Sequence, residues 1–166
     1  ASCMRLIIAS AIVFFIPLLL SAQQWTRIEP VSVVTVGKRD ILPDKYLVYK
    51  IDPEAIREIL WMAPDEDQTP VTQSDVLLTI GMADGTEDVF RIVRYDMMES
   101  KLEQDYPGIR TFKGVSVSNP YRHIRIDWTH YGFRAVIREL NGMTYLDYYQ
   151  RDDLSHVMAY YKKDFI

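Results

Sequence analysis

RHIRIDWTHYGFRAVIRELNGMTYLDYY, residues 122–149, is the stretch of sequence that decides the fold. Its first residues alternate sharply between apolar and polar side chains. Ile124, Ile126 and Trp128 therefore share one face of an extended chain, and the polar residues between them share the other face. A period of two is typical of a β-strand with one buried face, so we expect a strand over residues 122–129.

Two turn dipeptides, Tyr131-Gly132 and Asn141-Gly142, divide the rest of this stretch. Glycine suits such turns because it adopts the positive φ angles that other residues avoid. We expect strands over 133–140 and 143–149, and a further strand over 156–162 after the next loop. Strands that are joined by short turns must pair antiparallel, so this part of the sequence predicts an antiparallel meander.

Upstream of residue 122 the pattern predicts further strands and two short helices. Asp52-Pro53-Glu54 is typical of a helix start, because Asp caps free N–H groups, Pro suits the first position and Glu complements the helix dipole. Ala63-Pro64 is expected to end this helix. In chain order, the expected elements are strands at 31–36 and 45–51, the helix after Asp52, a hairpin at 76–95 with its turn at 83–85, and a second helix at 97–106.

The fold class that we expect is mainly β, with α+β as the broader possibility. The antiparallel meander should form a curved sheet or a sandwich with two short helices, preceded by an N-terminal signal helix. The acidic, proline-containing loop 65–72 is the expected break between an N-terminal section of strands and helix, 23–70, and an antiparallel β domain, 71–166. The two sections together, 23–166, are expected to form one domain.

Residues 1–22 differ from the rest of the chain. Arg5 precedes residues 6–20, which carry no charge, and small residues follow this apolar run. The pattern predicts a secretory signal peptide that is cleaved between Ala22 and Gln23. A membrane-spanning helix needs roughly 20 apolar residues, and this run is shorter, although an uncleaved membrane anchor remains the alternative. We therefore expect a secreted or cell-surface protein that contacts the membrane only during export.

The composition excludes several classes of protein. A hydrophobic content of 48% and a charged content of 25% are those of a globular domain and not of a disordered chain. The formal net charge of −4 provides no basic excess to attract phosphates, so we expect no nucleic-acid partner. The single cysteine, Cys3, lies in the expected signal peptide, so the exported part should contain neither a disulfide nor a reactive thiol.

Motifs for catalysis are sparse. The histidines His123, His130 and His156 do not have the spacing of a zinc-binding helix, and the glycines are scattered singly among expected turns. Asp127 and Asp147 are a possible carboxylate pair across strands, such as glycoside hydrolysis uses, with ordinary surface charge as the alternative. We therefore expect no catalytic, cofactor-binding or metal-binding residue in this chain.

Arginines and tyrosines of the final third form a possible interaction face. Arginine binds carboxylates through two hydrogen bonds and stacks on aromatic rings, so such a mixture is typical of recognition surfaces. The alternative is that the arginines pair with Asp127, Glu139 and Asp147 on neighbouring strands. The residues expected in this face are Arg122, Arg125, Arg134, Arg138, Tyr121, Tyr131 and Tyr145.

Four segments carry a resemblance to a known family: DGTEDVFRIVRYDMMESKLEQDYPGIRTFKGVSVSNP from Asp84, IRIDWTHYGFRAVI from Ile124, YLDYY from Tyr145 and YYKKDF from Tyr160. With them the chain resembles the N-terminal pro-region of secreted reprolysin-like zinc metallopeptidases from Gram-negative bacteria that use type IX secretion. Tyr148 departs from the family, which usually has proline there. The matching positions are Met98, Leu102, Tyr106, Pro107, Ile109, Thr111, Phe112, Gly114, Ile124, Arg125, Asp127, Gly132, Phe133, Tyr145, Asp147, Tyr149, Tyr161, Lys162, Lys163, Asp164 and Phe165.

The resemblance implies a pro-region that inhibits a catalytic domain, assists its folding, or does both. That domain would follow in the same precursor, would be the partner in cis, and alone would hold zinc. The chain by itself is then not expected to be an enzyme, and its parent would be a zinc metallopeptidase. We expect a substrate-like strand of the pro-region to pair in the cleft of the peptidase. The alternative function is a stand-alone exported β-sandwich module that recognises a protein or a glycan.

Overall fold

A computed structural model describes residues 24–95 and 105–165 of the chain. These residues form nine β-strands, one α-helix and three short 3₁₀ turns. The strands are β1 (Trp25–Ile28), β2 (Leu47–Ile51), β3 (Leu77–Gly81), β4 (Glu87–Arg94), β5 (Arg110–Ser116), β6 (His123–Thr129), β7 (Gly132–Glu139), β8 (Gly142–Tyr148) and β9 (His156–Tyr161). The helix α1 is Pro53–Trp61, and the 3₁₀ turns are Pro30–Ser32, Val71–Gln73 and Lys162–Asp164.

All nine of these strands belong to one antiparallel sheet, in the order β1-β2-β9-β8-β7-β6-β5-β4-β3. The sheet curves until its two edge strands, β1 and β3, come into contact, so it is nearly closed. The predicted mainly β fold and its antiparallel meander are confirmed. Because β2 pairs with β9, strands from both sides of the loop 65–72 contribute to the same sheet.

The apolar core fills the inside of the curve. Trp25 of β1 is fully buried and meets the rings of Tyr49 and Phe133 edge to face, with ring centroids 5.7 and 5.5 Å apart. The helix α1 adds Ile56 and Leu60 to the same core. Edge-to-face aromatic pairs stabilise a core beyond the burial of their area, so Trp25 ties the edge strand β1 to the centre of the molecule.

The helix α1 begins where the sequence predicts. The side chain of Asp52 accepts hydrogen bonds from the backbone N–H groups of Glu54 and Ala55, at 3.1 and 3.2 Å, and Pro53 occupies the first turn. The second predicted helix, 97–106, lies almost entirely outside the described residues. The predicted signal peptide and its cleavage position also lie outside them.

Two parts of the sheet differ from the sequence expectations. Residues 31–36 were expected as a strand, but they contribute to a 3₁₀ turn and an irregular segment outside the sheet, and β1 occupies the edge instead. The strand β5 was not expected, because glycine weakens strands and Gly114 lies at its centre. A Cβ atom at Gly114 would come within 2.6 Å of the Arg91 carbonyl oxygen and 2.8 Å of Ile124 Cγ2. The close approach of the neighbouring strands therefore requires glycine there.

Two irregular segments cross the outer face of the sheet. The N-terminal strap, residues 29–46, packs Val33 and Ile41 against the buried outer side chains of β2 and β9. The acidic loop, which the structure extends to residues 64–76, contacts β4 and β5. There Val93 is fully buried although it alternates away from the core. Between the strap and the acidic loop, the outer face of β6 and β7 stays open to solvent.

Candidate functional site

A groove on this open part of the sheet is lined by basic side chains together with apolar ones. Its volume is about 460 Å³. We call it the basic groove and define it by Lys113, His123, Arg125, Val136, Arg138 and Met143, with Val71 of the acidic loop at one side.

Strand register places these basic side chains together. On β6, Arg125 lies directly opposite Lys113 of β5 and Val136 of β7, and His123 lies directly opposite Arg138. The alternating pattern that buries Ile124 and its apolar neighbours sends all of these residues to the outer face. Arg125 and Arg138 are diagonal neighbours on adjacent strands, a relation that sets Cβ atoms roughly 7–8 Å apart.

The basic groove carries more positive than negative charge. Lys113 forms an ion pair with Glu66 of the acidic loop, and its Nζ atom lies 5.0 Å from the centroid of the Tyr95 ring. The Cζ atom of Arg125 lies 5.2 Å from the same centroid. Neither Arg125 nor Arg138 forms an ion pair within residues 24–95 and 105–165. Both guanidinium groups are therefore available to an external anion.

Arg122, which the sequence placed in the interaction face, belongs instead to a network at one end of the sheet. Its Nη1 atom lies 2.7 Å from Oδ2 of Asp88, and its Nη2 atom lies 3.0 Å from Oε2 of Glu139. Burial raises the pKa of Asp88, but hydrogen bonds from Arg122, from Ser116 and from other donors outweigh it and hold the pKa below 3.8. This arginine stabilises the fold.

Arg134 is also paired within the sheet. Its Nε atom donates to Oδ1 of the buried Asp147 at 2.7 Å, and the Tyr160 hydroxyl donates to Oδ2 at 2.7 Å. Burial, with a further contribution from Asp147, raises the pKa of Tyr160 above its ordinary value of 10.0. The strand β7 separates Asp127 from Asp147, and Arg134 lies opposite Asp127. The two carboxylates are therefore not direct cross-strand neighbours, and Arg134 lies beside both.

The three tyrosines of the expected face do not come together. Tyr145 lies on β8 opposite Val136, and its ring stacks on that of Tyr160 at 5.7 Å. Tyr121 precedes β6, whereas Tyr131 follows it, so they lie at opposite ends of that strand. Of the expected face, Arg125, Arg138 and Tyr145 share the middle of the outer sheet. Lys113 is outside the predicted face because the sequence does not predict β5, and His123 is expected there only as a surface or turn residue.

The histidines and carboxylates lie apart from one another. His123 is at the start of β6, His130 follows its end, and His156 pairs through Nδ1 with Oδ2 of Asp153 at 2.7 Å. Within the described ranges, no three His, Cys, Asp or Glu side chains gather closely enough to hold a metal ion. No helix in these ranges combines the length and the hydrophobicity of a membrane-spanning segment.

No family model, curated protein or solved structure matches the chain. A functional proposal for this protein therefore rests on the geometry of the basic groove and on the residue-level resemblance described above.

Proposed function

We propose that this chain acts by binding, as the pro-region of a secreted zinc metallopeptidase precursor. Its partner would be the catalytic domain of that precursor, which it would keep inactive, help to fold, or both. The basic groove is the observation that carries the proposal. It is an open strip between two covered regions of the sheet, and it holds two arginines that no carboxylate of the described residues neutralises. A charged strip of this kind favours a complementary protein surface.

The residues that match the metallopeptidase pro-regions also support the proposed binding role. Those among the described residues are concentrated in the part of the chain from Tyr106 to Phe165, which forms β5 to β9. Folding alone accounts for several of them, such as Gly114, which has no room for a Cβ atom, and the buried Asp147. Arg125 differs because it is exposed on the outer face and lines the basic groove. A role in partner binding gives a reason for arginine at that position.

Contact through this groove replaces the strand-pairing route that the sequence suggested. The sheet has two edge strands, β1 and β3, and each lies against the other. Because β1 and β3 contact each other at the seam, we favour a mode of binding that does not need a free strand edge. We therefore propose recognition by side chains of the outer face.

The reading frame offers the first test of the pro-region assignment. We would determine the genomic sequence downstream of the codon for Ile166. A frame that continues into a domain with a His-Glu-x-x-His zinc motif supports the proposal. A stop codon at that point contradicts it and favours the stand-alone exported binding module, whose open arginine surface would then serve a separate protein or glycan.

Inhibition offers the second test. The chain would be added in trans to the catalytic domain encoded downstream, and hydrolysis of a fluorogenic peptide would be followed. We expect inhibition by the wild-type chain and weaker inhibition by the variant R125Q/R138Q. Full activity at micromolar excess of the chain would contradict an inhibitory role, and refolding yield of the catalytic domain with and without the chain would then test assistance in folding.

A further inference from the structure

We infer that the basic groove binds an extended acidic peptide segment, with carboxylates that bridge Arg125 and Arg138. The inference rests on the proposed binding role and names the chemistry of the partner surface. It applies whether that surface belongs to a catalytic domain in cis or to a separate protein.

Positively charged side chains lie next to one another in the basic groove. Lys113 and Arg125 lie directly opposite each other, and Arg138 is the diagonal neighbour of Arg125. Like charges directly opposite each other destabilise a sheet, and Glu66, which pairs with Lys113, offsets only part of the positive charge here. The chain has more Asp and Glu residues, 23, than Lys and Arg residues, 19, yet no described carboxylate pairs with Arg125 or Arg138. Asp127, the next outward side chain of β6, lies opposite Arg134 instead. A bound anion would remove this repulsion.

The spacing of Arg125 and Arg138 matches the spacing of alternate side chains in an extended peptide. Diagonal neighbours on adjacent strands have Cβ atoms roughly 7–8 Å apart. In an extended peptide, side chains at positions i and i+2 point the same way and are roughly 7 Å apart. Two acidic residues separated by one residue can therefore reach Arg125 and Arg138 together. Guanidinium and carboxylate groups bind through paired, charge-assisted hydrogen bonds, which favours carboxylates as the anions.

Apolar side chains lie next to these charges. Val136 lies directly opposite Arg125 and two residues before Arg138 on β7, and Val71 and Met143 line the sides of the groove. A volume of about 460 Å³ is in the range of ligand-binding clefts. A peptide that alternates acidic and apolar residues can cover this surface as well as the charges. A simple inorganic anion would leave the apolar part exposed.

Binding to the full chain can be measured by fluorescence anisotropy with a labelled peptide of sequence Glu-Val-Glu-Val-Glu. The matched probe Lys-Val-Lys-Val-Lys has the same length and apolar residues but the opposite charge. We expect the acidic probe to bind with an affinity that falls as the salt concentration rises, because exposed charges are screened. We expect no binding of the basic probe.

Variants locate the site. The variant R125Q/R138Q should bind the acidic probe at least roughly tenfold more weakly, because two charge-assisted interactions are lost. Arg27→Gln, an exposed arginine of the edge strand β1, is the matched control and should bind like the wild type. Thermal unfolding should show R125Q/R138Q to be at least as stable as the wild type, since repulsion is removed.

Three outcomes would overturn the inference. They are equal affinity of the wild type and R125Q/R138Q, no binding of the acidic probe up to about 1 mM, and binding of dextran sulfate through the same arginines without competition by the acidic probe. The last outcome would point to a sulfated polysaccharide. The probes are synthetic, so a stop codon after Ile166 would remove the pro-region assignment without affecting this result.

Discussion

At the scale of single residues, Asp88 joins strand ends that are far apart in the sequence. Its Oδ1 atom accepts hydrogen bonds from the backbone N–H of Val89 and the hydroxyl groups of Ser116 and Ser118, and its Oδ2 atom accepts one from Arg122. Burial alone would raise its pKa, but these donors favour the charged form and lower the pKa below 3.8. Its stabilising contribution is therefore present above the pKa of the unfolded chain and is lost as the pH falls through the folded pKa.

Asp88→Asn should lower the free energy of unfolding at pH 7 by about 1–3 kcal/mol, because a charged acceptor of buried hydrogen bonds is lost. It should also flatten the pH dependence, since the variant has no carboxylate there to protonate below about pH 4. Urea unfolding at pH 7 and at pH 3 measures both effects. Asp75→Asn, at an exposed position, is the control. An equal loss of stability in acid for the wild type and Asp88→Asn would contradict this role of Asp88.

Among the described residues, some arginines pair with carboxylates of the sheet and others do not. The sequence predicted these pairs in part. It suggested that the arginines would pair with Glu139 and Asp147, which Arg122 and Arg134 do. It did not predict Asp88 as a partner, because Asp88 lies 34 positions from Arg122 and only the fold brings them together. Which arginines stay free for a partner depends on such distant contacts, so the sequence could name the candidates without separating them.

At the scale of elements, the N-terminal strap depends on a small number of side-chain contacts. The amide of Gln150 is buried, and its Nε2 atom donates to the Val34 carbonyl at 2.8 Å and to Asp153 at 2.9 Å. Its Oε1 atom accepts from the Val36 N–H at 3.2 Å. The strap forms no sheet ladder at these residues, so Gln150 takes the place of a neighbouring strand for their backbone groups.

A ring clamp holds the strap at a second point. The Cζ atom of Arg39 lies 5.0 Å from the centroid of the Tyr46 ring and 4.3 Å from that of Tyr149. Cation–π contacts of this kind stabilise by about 0.5–2 kcal/mol. Because this clamp remains when Gln150 is changed, a substitution there should loosen part of the strap and leave the sheet folded.

Gln150→Leu should increase amide hydrogen exchange around Val34 and Val36, while β6 and β7 stay protected. The reason is that the substitution removes the partners of both backbone groups, at a cost of about 1–3 kcal/mol. Hydrogen exchange followed by mass spectrometry resolves the two regions. Gln68→Leu, at an exposed position of the acidic loop, serves as the control. A uniform increase over the whole chain would show that the strap is part of the global folding unit.

The elements also show why some strands are predictable and others are not. The strands β6 to β8 follow from period-two patterns and turn dipeptides, which are local signals. The segment 31–36 has the composition of a strand, but it has no neighbour to pair with because β1 occupies the edge beside β2. Strand propensity describes how a residue fits a pleated surface and does not specify its pairing. The strand β5 is the opposite case: Gly114 lowers its strand propensity, so the sequence does not predict it. Tertiary packing nevertheless requires glycine at this position of the strand.

At the scale of the whole molecule, the closure of the sheet depends on its shortest strand. The strand β1 has four residues, pairs with β2 and contacts β3 across the seam between the sheet edges. Its anchor is Trp25, which packs against Tyr49 and Phe133 in the core. An open strand edge is a template for pairing with other chains. The indole of Trp25 therefore protects the edge of β3 as well as filling the core.

Trp25→Ala should destabilise the fold by about 3–5 kcal/mol, as large-to-small substitutions in a core do. Because it also releases β1 from the seam, we expect the folded fraction to self-associate as the protein concentration rises, which multi-angle light scattering after size exclusion measures. Phe112→Ala is the matched control, since Phe112 is a buried aromatic residue on β5, away from the seam. It should destabilise the fold similarly without self-association. Equal association of both variants would mean that core loss alone drives it, whereas association of Trp25→Ala alone would assign it to the exposed edge of β3.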